Sequence, residues 1–298
     1  MSFKPYGIVP PVITPLTEDG QVNYPVLKQM IDHLINEGVH GIFSLGTTGE
    51  FYAFDNAEYK KILEFTKEVV ANRVPLYAGA NHITTRGAIE LVRICDEVQV
   101  DAVSVLTPMF VSQTQEELYK YFKDIAESTK LPIILYNNAP KTNVTITPAT
   151  VAKLAEIENI VGVKDSTGDM TNSAEYIRLT RHLEDFHVMM GRDTIIYAGL
   201  AYGATGAIAS CANVAPRVVA DIYDKYVAGD LEGALEAQFK LAPLRIATAM
   251  GTFPAVIKEG LVMQGIPVGK CLDPIGELTT EEKAKLKAIL VDMDLVKE

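Results

Sequence analysis

Residues 132–167 read PIILYNNAPKTNVTITPATVAKLAEIENIVGVKDST, and this stretch decides the fold. It opens with a short apolar run ending at Tyr136, passes through a polar loop, and resumes at Thr147-Pro148, a threonine cap followed by proline at the first helical position. Helical spacing from 149 to 157 then gives way to a second apolar run, 160–164, which ends in Lys164. Strand, capped helix and strand in that order form a βαβ unit, whose strands run parallel and are buried on both faces.

Outward from that unit, the same alternation fills most of the chain. Strands are expected over 7–15, 41–45, 75–79, 102–106, 132–136, 160–164, 187–191 and 206–210. Between them, Val26, Leu27, Met30, Ile31, Leu34 and Ile35 make one apolar helical stripe, and Asp55 caps the stretch 56–70. Eight strands, each followed by a helix, predict an α/β fold closed as a (β/α)8 barrel over residues 1–229. An open doubly wound sheet is the rival, but GTTGE at 46–50 is not a GxGxxG fingerprint. Three more helices, near 230–250, 253–264 and 280–294, form a C-terminal helical appendix, residues 230–298, packed on the barrel.

Composition narrows the function. The chain has 298 residues, 48% hydrophobic and 22% charged, so it can bury a large core. A formal net charge of −11 disfavours nucleic acid and anionic membranes as partners. No apolar run reaches the roughly 18 residues of a membrane-spanning helix, and the first residues lack a signal-peptide pattern, so the expected location is the cytoplasm. Cys95, Cys211 and Cys271 form no CxxC pair and read as reduced thiols. The histidines show no HxH or HExxH spacing and read mostly as surface or helix residues, so a zinc-dependent aldolase is not expected. Asp96-Glu97 and Glu116-Glu117 read as solvated helix faces.

Barrel enzymes place their chemistry at the C-terminal ends of the strands. Lys164 stands there inside a run that otherwise reads as core. Burial disfavours a charged amine, and a neutral amine is the nucleophile that forms an imine with a carbonyl substrate. The plainer reading is a lysine that reaches solvent or pairs with Asp165. Tyr136 ends the adjacent strand, close enough to shuttle protons during imine chemistry, although a core tyrosine with a satisfied hydroxyl would look the same. Thr47 and Thr48 bring hydroxyls and amide N–H groups on a glycine-flanked turn suited to a small carboxylate.

GTTGE at 46–50, LYNN at 135–138, GVKDS at 162–166 and GTFPAVIKE at 251–259 occur in the order seen in the dihydrodipicolinate synthase / N-acetylneuraminate lyase family, which the chain resembles from about residue 7 to 265. The resemblance implies a Schiff base between Lys164 and pyruvate, a proton relay through Tyr136 and Thr47, and a carboxylate held by Thr48. It places Gly191 and Ile208 in the lining of the keto-acid pocket. It also implies a homotetramer, a pair of tight dimers, working without a cofactor. There are departures. A relay tyrosine that reaches into the neighbouring subunit is replaced by Phe110, which has no hydroxyl. An arginine that grips the aldehyde's carboxylate is replaced by Lys141, which cannot form a bidentate fork. Phe51, Tyr52 and Met109 differ from the region used for lysine feedback, and sialic acid lyases carry serine where Thr47 stands.

The expected activity is therefore that of a carbon–carbon lyase, joining or releasing pyruvate and an aldehyde from a 2-keto-3-deoxy sugar acid or related 4-hydroxy-2-keto acid. The alternatives are 4-hydroxy-tetrahydrodipicolinate synthase, dehydration of a deoxy sugar acid through the same imine, and a non-catalytic paralogue that only binds keto acids.

Overall fold

The computed structural model describes residues 3–297. Eight parallel strands occur in chain order: β1 (Gly7–Ile8), β2 (Ile42–Ser44), β3 (Leu76–Gly79), β4 (Ala102–Leu106), β5 (Ile133–Asn137), β6 (Ile160–Asp165), β7 (His187–Met190) and β8 (Gly206–Ala207). Each pairs with its sequence neighbour from β2 to β8, and β8 pairs with β1. Closure needs one more seam, between β1 and β2. It is made just beyond β1, where Phe43 N–H donates to Pro10 O at 3.0 Å and Val12 N–H to Phe43 O at 2.8 Å.

The expected strand over 7–15 is thus much shorter. Pro10, Pro11 and Pro15 have no N–H to give a ladder, and only the isolated Pro11–Phe43 bridge continues the pairing. The eighth strand is shorter too, passing into a 3₁₀ turn at Ser210–Asn213.

The helices are α1 (Tyr24–Asn36), α2 (Asn56–Val70), α3 (Thr85–Val98), α4 (Gln115–Glu127), α5 (Ala139–Thr142), α6 (Pro148–Leu154), α7 (Met170–Thr180), α8 (Ile196–Tyr202), α9 (Pro216–Val227), α10 (Leu231–Ala247), α11 (Ala255–Met263) and α12 (Thr280–Asp292). Their starts obey local chemistry. Asp55 accepts from Ala57 and Glu58 N–H while Glu58 reaches back, a full capping box, and Thr147 accepts from Thr150 N–H. The last three helices join the core that lies under α8 and α9, through Leu241, Leu244, Val256, Ile257, Leu261, Leu286 and Leu290. Among the described residues, no helix is long and apolar enough to cross a membrane.

Inside the barrel, one side chain from each strand, or from the residue just after it, makes a closed layer: Val9, Phe43, Tyr77, Ala102, Ile134, Val161, Met189 and Ile208. Such a layer is a packed floor, and the site rests on top of it. A bulge then sets which β6 residues face inward. Ile133 pairs with Ile160 but Ile134 pairs with Gly162, so Val161 is an extra residue. Ile160 and Val163 pack on the outer core while Val161 joins the inner layer. Plain alternation from Val161 would have turned Lys164 outward. The extra residue turns it into the barrel.

Candidate active site

Lys164 and Tyr136 are directly paired across β5 and β6. Lys164 is only 4% exposed. Its Nζ lies 4.0 Å from the centre of the Tyr136 ring and 5.3 Å from that of Phe43, so the amine stands on two aromatic faces. Pairing with Asp165 is not what the structure holds. That carboxylate points to the outer side, accepting from Asn137 Nδ2, Asn172 Nδ2, Ser173 Oγ and Thr167 N–H. Among the described residues, Lys164 has no ion-pair partner.

The Tyr136 hydroxyl is the centre of a small network. Asn138 Nδ2 donates to it at 2.9 Å and Thr47 Oγ1 lies 3.5 Å away. Burial alone would raise the phenol, but the Lys164 amine beside it and the Thr47 hydroxyl bring it below its ordinary value. Donors that converge on a phenol oxygen stabilise the phenolate, which makes Tyr136 a better proton acceptor.

The β2 turn is shaped by its backbone. Gly49 N–H bonds to Gly46 O and Glu50 N–H to Thr47 O, and Thr14 Oγ1 donates to Gly49 O at 2.7 Å. A Cβ at Gly49 would come 2.8 Å from Val12 O, so only glycine fits. Among the described residues, the amides of Thr47 and Thr48 donate to no group of the chain, and Thr48 is 3% exposed. Two such N–H groups on one turn make a cradle for a small anion.

Gly191 closes the far side. A Cβ there would sit 2.1 Å from Ser166 Oγ, so the approach of β7 to the loop after β6 excludes any side chain. Ile208 lies in the inner layer beneath.

Thus Lys164, Tyr136, Thr47 and Thr48 come together, with Gly191 and Ile208 in the surrounding wall and floor. Lys141 and Phe110 do not join them within this chain. Lys141 is exposed on α5, and Phe110 is 96% exposed on the loop after β4, at φ +78°. The sequence left the role of Asn138 open, and here it donates to the phenol; it gave no sign of Phe43 beneath the lysine. Asn138 lies inside the LYNN motif, so that adjacency was the available signal. Asn137 is structural, bonding Asp165, Tyr176 Oη and Ile146 N–H. Of the histidines, His187 departs from the surface-or-helix expectation, being buried at the start of β7.

A profile of the dihydrodipicolinate synthetase family matches residues 4–293. The chain belongs to that family. It is 36% identical over 98% of its length to a 4-hydroxy-tetrahydrodipicolinate synthase of Thermodesulfovibrio yellowstonii, covering 99% of that protein. Among solved structures it is similar to a dihydrodipicolinate synthase of Thermotoga maritima, with a TM-score of 0.95, 29% identity, and coverage of 98% and 99% of the two chains. It is also similar to YagE, a prophage protein of Escherichia coli K12 in that family, solved in complex with pyruvate, with a TM-score of 0.94, 33% identity, and coverage of 97% and 99%. As a member of the dihydrodipicolinate synthetase family, the chain is a carbon–carbon lyase or synthase of the Schiff-base, pyruvate-dependent class.

Proposed function

We propose that Lys164 is the Schiff-base lysine and that the enzyme makes or cleaves a 2-keto-3-deoxy sugar acid or a related 4-hydroxy-2-keto acid. The observation that carries the first half is the buried Lys164 amine, paired across the sheet with Tyr136 and 4.0 Å from its ring. In the cleavage direction, Nζ adds to the C2 carbonyl and water leaves, giving a protonated imine. The unpartnered amides and hydroxyl at Thr47 and Thr48 hold the carboxylate. Tyr136 takes the 4-hydroxyl proton and Thr47 relays it. The C3–C4 electron pair moves into the imine as that bond breaks, an aldehyde leaves, and an enamine remains. Protonation at C3 and hydrolysis then release pyruvate and restore the amine.

The choice of aldehyde rests on Phe110 and Lys141. Phe110 offers no hydroxyl to a relay, and Lys141 is a solvated point charge where a synthase has an arginine fork. Both changes weaken the grip on a short, acidic aldehyde. A second reading, 4-hydroxy-tetrahydrodipicolinate synthase, is favoured by the names of the curated relatives. It uses the same imine to condense pyruvate with aspartate semialdehyde. The exposed Phe110 and the 60%-exposed Val111 beside it suit contact with a second subunit of a homotetramer.

Intact-mass measurement after pyruvate and borohydride tests the lysine. The wild type should gain one reduced pyruvate adduct and Lys164→Ala none; a folded wild type without adduct overturns the assignment. A substrate panel then tests the aldehyde. Turnover of 2-keto-3-deoxy sugar acids should exceed condensation with aspartate semialdehyde, and the reverse order would establish the second reading. An adduct without turnover on any substrate would point to a binding protein.

A further inference from the structure

GTTGE and GTFPAVIKE lie some two hundred residues apart in sequence, yet their charged ends meet. Lys258 Nζ on α11 is 2.6 Å from Glu50 Oε1 at the end of the β2 turn, with the two side chains 3% and 0% exposed. The contact is one of charge, since that oxygen has no aligned hydrogen-bond donor. The other carboxylate oxygen accepts from Leu272 N–H at 2.9 Å, and Lys258 Nζ also donates to Lys270 O at 2.8 Å. The segment 268–272 is thereby strapped along the rim of the barrel, against the segments that follow β1 and β2. Its near end is fastened by Leu16 N–H to Val268 O at 2.9 Å. Gly269 stands at φ +72°, where a Cβ would meet Leu16 O at 2.1 Å.

What the strap holds is the proposed carboxylate cradle. Two non-glycine residues bracket that turn in the left-handed region, Leu45 at φ +55° and Glu50 at φ +56°. Such conformations persist only where surrounding structure enforces them. Between them lie Thr47 and Thr48, whose amides have no partner among the described residues. A buried carboxylate two residues beyond an anion cradle would also repel the anion unless a cation offset it. Lys258 supplies that cation from outside the barrel.

We infer that Glu50 and Lys258 are positioning residues for keto-acid binding, through which the C-terminal extension sets the geometry and charge of the β2 turn. The inference rests on the reading of Thr47 and Thr48 as the carboxylate site.

The test is pyruvate-dependent borohydride trapping, titrated in pyruvate on folded protein, with thermal melts alongside. Lys258→Met leaves Glu50 buried without its cation, and it should raise the half-saturating pyruvate concentration at least tenfold while the adduct at saturation still forms. Glu50→Gln with Lys258→Met removes both charges and keeps an acceptor for Leu272 N–H; it should recover most of that loss. A purely structural pair would lower the melting temperature and leave half-saturation unchanged, which would overturn the inference. Should Lys258→Met not fold, Glu50→Gln alone decides: it leaves the Lys258 cation unopposed beside the cradle and loosens the turn, so a shift in half-saturation of threefold or more in either direction supports the role, and any smaller change refutes it. A wild type that never forms an adduct would instead refute the Schiff-base reading beneath it.

Discussion

The two ends of the barrel both bury polar groups between strands, and they use them differently. At the mouth, the Tyr136 oxygen gathers Asn138 and Thr47 while the neighbouring amides of Thr47 and Thr48 have no partner among the described residues. At the floor, His40 is consumed by the fold. Its N–H donates to Ile8 O at 2.8 Å and its ring Nδ1 accepts from Ile8 N–H at 3.2 Å, so it pairs with both backbone groups of one β1 residue. Its Nε2 lies 3.0 Å from Asp224 Oδ1. Unspent hydrogen-bonding capacity marks the end that meets substrate; complete pairing marks the end that holds the cylinder shut.

The largest expected effect is on the mouth. Tyr136→Phe removes the relay hydroxyl and should lower kcat by roughly 10²- to 10⁴-fold, the range for loss of a positioned acid–base group. It leaves Asn138 Nδ2 without that partner, at a cost of about 1–3 kcal/mol, so the barrel should survive. Steady-state kinetics with a denaturant melt checks both. A full loss of folding with little loss of kcat in the residual enzyme would erase the distinction between the two ends.

At the floor the ranking reverses. His40 is held below its ordinary value, chiefly by burial and with Arg217 adding to it, while Asp224 opposes the shift. The rings of Tyr6 and Tyr223 pack edge-on with it, at 5.8 and 4.8 Å between centroids. A protonated Nδ1 could not accept from Ile8. Because the folded value is depressed, the unfolded chain binds a proton first, at about pH 6.5. The His40 contribution to stability is therefore complete above that pH, and it is lost as pH falls from there through the folded value. Denaturant midpoints at pH 8 and pH 5 should show a smaller pH difference in His40→Asn than in the wild type, with pyruvate trapping at pH 8 unchanged. His187, also depressed chiefly by burial, contributes in the same window in both proteins and cancels. An equal pH difference in the two would remove the floor's side of the comparison.

These contrasts also explain what could be read from the sequence. The barrel was legible because buried parallel strands are apolar runs and the helices between them carry their own caps, as at Asp55 and Thr147. Lys164 and Tyr136 were legible because a polar residue ending such a run is conspicuous. The bulge at Val161 was not, since an extra residue in a run of apolar residues leaves no compositional trace, although it decides which way Lys164 points. Nor was the Glu50–Lys258 contact, because no local pattern says which distant charges will be buried together. His40 sits before a strand with nothing nearby to reveal that its ring would cap Ile8.

Phe110 belongs to neither end, and its substitution should have the smallest effect. The ring is 96% exposed, so within this chain it packs on almost nothing. Replacing it with alanine keeps an L-residue at φ +78°, so the backbone preference hardly changes and the experiment removes only the ring. Stability of the chain should move by no more than about 0.5 kcal/mol, the usual range for surface changes, and pyruvate trapping should saturate as in the wild type. Any effect should appear instead in the aldehyde half-reaction or in the oligomeric state, read by light scattering, because only a second molecule can give that ring a surface to cover. Loss of trapping on the scale of Tyr136→Phe would place Phe110 inside the catalytic network and overturn the boundary drawn between the mouth and its rim.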